Sequence, residues 1–90
     1  MIDKDTNVLQ WANLMYELED AHEHLSNLIN DMNENKGADD DDFCEIDFSV
    51  QLSHIYAHLN IAWNSRNLTK DYKIKDRGKL SQFPNDLKPS

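Results

Sequence analysis

Cysteine occurs once in this 90-residue chain, and glycine and proline only twice each. The lone Cys44 excludes an internal disulfide and any cysteine-rich zinc site. Neither glycine precedes Gly37 and neither proline precedes Pro84, so nothing breaks a helix in the first third of the chain, and no glycine-rich phosphate loop can form. No run of 18 apolar residues occurs, so no segment reads as a membrane span and no membrane partner is expected. The start, Met1-Ile2-Asp3-Lys4-Asp5, is polar and lacks the basic residues and apolar stretch of a secretory signal. A reducing, cytoplasmic setting is the expectation from these absences. At this length one small domain is expected. Its 39% hydrophobic content is lean, so help from a partner or a metal is expected as well.

Positive charge is scarce in the body of the chain. Residues 1–65 hold 14 acidic residues against Lys4 and Lys36 alone, which disfavours direct contact with phosphate. Residues 66–90 reverse the balance, with seven basic and three acidic residues. A short tail of mixed charge is expected in solvent or against the acidic body, and nucleic acid is not the expected partner.

What the chain does have is helical periodicity. Val8, Trp11, Met15, Leu18, Leu25, Ile29 and Met32 recur at alternating three- and four-residue spacing, and His22 fills the one gap. Leu14, Ala21 and Leu28 widen the stripe on one side. This predicts a first helix over about 6–35, capped by Asp5 or Thr6 and ended at Gly37. Residues 37–42 carry four consecutive aspartates and predict an acidic turn, with Asp42 and Glu45 at capping-box spacing. The aspartates lack the register of a calcium-binding EF-hand loop. A second helix is predicted over about 43–67. Phe48, Leu52, Ile55, Leu59 and Ala62 mark one side of it, and Ile46, Val50, Ala57 and Ile61 nearly the opposite side. A two-helix hairpin covers only one of those sides, so the tail or a second copy of the chain must cover the other. Residues 68–90 are predicted to be mostly irregular, with Lys73-Ile74-Lys75 as a short extended piece. The expected architecture is an all-α antiparallel helical hairpin over 1–67 with a basic tail over 68–90. Two such hairpins are expected to pair into a homodimeric four-helix bundle.

Histidine carries most of the chemical signal. His54 and His58 stand one turn apart on one face of the second helix, at metal-ligand spacing, with Asp47 as an oxygen donor on that face. Two imidazoles and a carboxylate suit zinc, nickel or non-haem iron. Glu19 and His22 are three apart, the spacing of di-iron bundle ligands, but occur once per chain. His22 is expected in the helix seam as a core histidine bonded to Tyr56 or Ser53. Glu17, Asp20 and Glu23 form an acidic surface on the first helix. Trp63 and Arg66, beside Asn60, Asn64 and Asn67, form a candidate contact patch on the second. No nucleophile–base–acid constellation is present, and no base sits near Cys44 in sequence. The leading expectation is therefore a small acidic regulatory or interaction module without catalysis or cofactor. It would bind itself and a partner protein with a basic surface. Two alternatives are a metal-binding helical bundle using His54 and His58, and a DNA-mimic inhibitor of a nucleic-acid-binding protein.

Overall fold

The structure is a computed structural model that describes residues 1–34, 44–70 and 74–88. The described residues are helical without strands. They comprise α1 (Val8–Glu34), α2 (Glu45–Asn64), a 3₁₀ turn (Ile74–Asp76) and α3 (Arg77–Leu80). The predicted acidic turn at 37–42 lies outside the described residues.

Asp5 and Thr6 lie in a turn ahead of α1, where the Asp3 carboxylate accepts their backbone N–H groups at 2.7 and 3.2 Å, and the helix itself begins with the bond from the Trp11 N–H to the carbonyl of Asn7. The Asn7 side-chain oxygen accepts the N–H of Asp3. At the start of α2 the N-cap is Cys44, two residues beyond the expected Asp42, and it makes no side-chain capping bond. Glu45 and Asp47 in the first turn complement the positive end of the helix dipole.

The two long helices pack antiparallel, as the cross-contacts establish: Glu17 meets His58 and His24 meets His54. The amide of Ile2 donates to the carbonyl of Arg66 at 2.7 Å and ties the N-terminus to the end of α2. Packing uses a stripe one residue away from the predicted seam. Leu14, Glu17, Ala21 and Leu28 are the buried residues of α1, whereas Val8, Leu18, Leu25, Ile29 and Met32 are exposed. His22, expected in the core, is exposed for the same reason. The apolar core falls into two clusters: Ile2, Leu14 and Ala62 at one end, with Trp11 against them, and Ala21, Leu28 and Ile55 further along, with Phe48. Glu17 and His58 form a polar layer between them.

The second apolar side of α2 is covered in part by the tail. The side-chain amide of Asn60 donates to the carbonyl of Ser81, and that of Asn64 to the carbonyls of Leu80 and Gln82. Ile61 on that side is 2% exposed, while Ile46 and Val50, beyond the reach of the described tail, are exposed. Residues 74–76 form the 3₁₀ turn rather than an extended piece. Gly78 sits inside the single turn of α3. Tail backbone carbonyls that would otherwise face α2 unpaired are met by the two asparagine amides, which favours docking over solvation.

Candidate metal centre

Glu17 occupies a position in α1 where an apolar residue would be expected, and it is 1% exposed. Burying a carboxylate is costly unless both oxygens are satisfied. Here Nδ1–H of His58 donates to Oε2 at 2.6 Å, and Nη1 of Arg77, from α3, donates to Oε1 at 2.6 Å. Burial opposes ionisation of Glu17, but the bonds from Arg77 and His58 outweigh it and hold the carboxyl below its ordinary 4.5. Because an ionised carboxylate only accepts, His58 must carry its proton on Nδ1. That leaves the other ring nitrogen, Nε2, turned toward the opposite side of the ring.

His58 Nε2 has two close neighbours there. His54 Nε2 lies at 3.3 Å and Asp20 Oδ2 at 3.3 Å, and His54 Nε2 is in turn 3.1 Å from His24 Nε2. One donor atom from each of the three histidines falls within a group no wider than 4.8 Å. The rings pack edge to face, with centroids 4.3 Å apart for His24–His54 and 4.7 Å for His54–His58. Tetrahedral zinc with Zn–N bonds of about 2.0–2.1 Å would set its ligand atoms about 3.3 Å apart, close to the two shorter separations. A proton on His58 Nε2 could serve only one of its neighbours, whereas a cation among the ring nitrogens serves all of them. Burial lowers the affinity of His54 for a proton, and the neighbouring rings of His24 and His58 lower it further. The shift favours the neutral, lone-pair-bearing form that a metal requires. A groove of about 570 Å³ opens beside His24 and His54, lined by Val50, Gln51, Ser53 and Ala57.

The residues singled out from the sequence are dispersed by the fold. His54 and His58 come together, joined by His24 and Asp20. Asp47 lies two turns from His54, its Oδ2 facing Cys44 Sγ at 3.5 Å, outside the histidine group. Glu17 is not part of an acidic surface: it lies inside the hairpin, Asp20 is half-buried, and of that trio only Glu23 is exposed. Trp63 and Arg66 are occupied by the tail. Trp63 Nε1 and Arg66 Nη2 each donate to Asp86 at 2.8 Å, and the Arg66 guanidinium lies 3.7 Å over the Trp63 ring. Those two bonds hold the Asp86 carboxyl below the usual aspartate range.

His24 was not singled out from the sequence. Its signal was the stripe Leu14, Glu17, Ala21, His24, Leu28, which has the same three–four spacing as the predicted seam but carries two polar residues. No protein-family profile, curated protein or solved structure matches the chain.

Proposed function

We propose that this protein binds one divalent transition-metal ion through His24, His54 and His58, with Asp20 as the nearest oxygen donor, and that the ion staples the helical hairpin of a small interaction module. One observation carries the reading: ring nitrogens from two helices converge at 3.1 and 3.3 Å while a buried carboxylate holds the far side of His58. A carboxylate behind a ligating imidazole fixes its tautomer and aim. Imidazole and carboxylate donors suit zinc, nickel or ferrous iron. A structural role follows from the layering, because His58 lies between two small apolar cores that a chain of this size cannot enlarge, and His24 and His54 flank the second of them.

The test is titration of chelator-treated protein with Co(II), a spectroscopic stand-in for zinc, followed by zinc competition. One equivalent per chain is expected, with a visible spectrum of low-symmetry coordination. Zinc at 100-fold above its dissociation constant should raise stability by about 2.7 kcal/mol. His24→Ala and His54→Ala should abolish the spectrum, and His22→Ala, on the exposed stripe, should leave it intact. Absence of Co(II) uptake by the unaltered chain would sink the reading.

A second property is supported by a separate observation. Trp11, Met15, Leu18, His22, Leu25 and Ile29 form a stripe on α1 without one carboxylate, in a chain of net charge −8. Leu18 lines one groove with Leu59 of α2, so the stripe continues onto the second helix. We propose that two hairpins bury this flank against each other in the four-helix bundle expected from the sequence, leaving the histidine cluster on the opposite flank.

A further inference from the structure

Arg77 stands sixty positions after Glu17 in the chain, yet donates to its Oε1 at 2.6 Å. The other oxygen, Oε2, accepts from His58. The carboxylate is 1% exposed, and these two side chains each hold one of its oxygens. The position of Arg77 is itself set by α2, whose Asn60 and Asn64 amides hold the carbonyls of Leu80, Ser81 and Gln82 at and just beyond the end of α3. One helix thus carries two of the three histidines and also anchors the segment that returns Arg77 to the carboxylate behind His58.

We infer that the C-terminal segment belongs to the metal site: Arg77 is a positioning residue that acts through Glu17 on His58, and tail docking and metal binding are one linked equilibrium. This rests on the metal-binding reading above. Two effects of Arg77 oppose each other. Its positive charge repels a nearby cation, but that charge is paired with Glu17 and its side chain is 39% exposed, which screens it. Loss of an outer-shell partner typically weakens metal binding about 10–100-fold, so positioning outweighs repulsion. By linkage, metal must strengthen tail docking by the same factor that docking strengthens metal binding.

Co(II) affinity of the full chain is measured for the unaltered protein, Arg77→Ala, Arg77→Lys, Glu17→Gln and the double variant Arg77→Ala/Glu17→Gln, with helicity checked by circular dichroism. Arg77→Ala should bind about 10–100-fold more weakly, with Arg77→Lys between it and the unaltered chain. The double variant should lose no more than the weaker single variant, because both act along one path. As a measurement free of mutation, amide exchange at residues 77–82 should slow when zinc is added to the unaltered chain. An unaltered chain that takes up no Co(II) overturns the metal reading and this inference together. Co(II) binding that changes less than twofold in Arg77→Ala overturns the inference alone. So does a loss that adds in full to that of Glu17→Gln, or a tail whose exchange ignores zinc.

Discussion

A carboxylate buried between two helices is tolerated only while its partners hold it, and Glu17 has both. Replacing it by alanine leaves the Nδ1–H of buried His58 without its acceptor. Glu17→Ala should therefore lower the unfolding free energy of the metal-free protein by about 1–3 kcal/mol in urea at neutral pH. An unchanged urea midpoint would show that the pair contributes nothing. Acid should act through two groups in the same direction. His54 takes up its proton less readily when folded than at its ordinary 6.5, first because of burial and then because of His24 and His58. As pH falls below 6.5 the unfolded chain protonates first, so stability is lost. Glu17, held below 4.5, is likewise protonated first in the unfolded chain, and its contribution is lost as pH falls further. The urea midpoint of metal-free protein is expected to fall between pH 7 and 5 and again below 4.5. A flat profile over the upper interval would refute the role given to His54.

At the scale of elements, the pairing of His54 with His58 was legible because both lie on one helix, where spacing alone puts them on one face. His24 and Asp20 were not, because which residues of α1 meet them depends on the register between two helices. That register turned on Glu17. As a carboxylate it argued for a solvent-facing stripe, yet its bonds to His58 and Arg77 outweigh the cost of burial and rotate α1 by one residue. Arg77 could not be anticipated, since its partner lies sixty positions away. Both long helices were legible from periodicity, and the need to cover a second side of α2 was legible from its two apolar stripes. The asparagines that fasten the tail there looked only like a polar patch. Asn64 donates to two tail carbonyls at 2.7 and 2.9 Å, so Asn64→Ala should cost about 1–2 kcal/mol of docking. Limited proteolysis should cut within residues 74–88 several-fold faster in that variant, while α1 and α2 stay intact. Equal cleavage rates would show that the docking is set elsewhere.

For the whole molecule the decisive quantity is what covers the stripe through Leu18, Leu25 and Ile29, which are 39%, 42% and 50% exposed. Full burial of an exposed side chain of this kind is worth about 1.5–3 kcal/mol, and with half or more of each already covered roughly half of that is left to gain per residue, summed over the stripe on both copies. Repulsion between two chains of net charge −8 opposes association, but salt screens charges beyond about 8–10 Å, and this stripe carries no carboxylate to bring them closer. Apolar contact should therefore prevail at physiological ionic strength and strengthen as salt rises, the reverse of what charge-driven binding to a basic partner predicts. Sedimentation of the full chain should give twice 10.5 kDa, shifting toward monomer at low salt. Leu25→Glu places a carboxylate on the stripe of each copy and should yield monomer with its helical content retained. Because the histidine cluster lies on the other flank, that monomer should still take up Co(II) with unchanged stoichiometry. A Leu25→Glu protein that remains dimeric would move the interface elsewhere. Loss of Co(II) binding on dissociation would mean that the second copy helps to build the metal site.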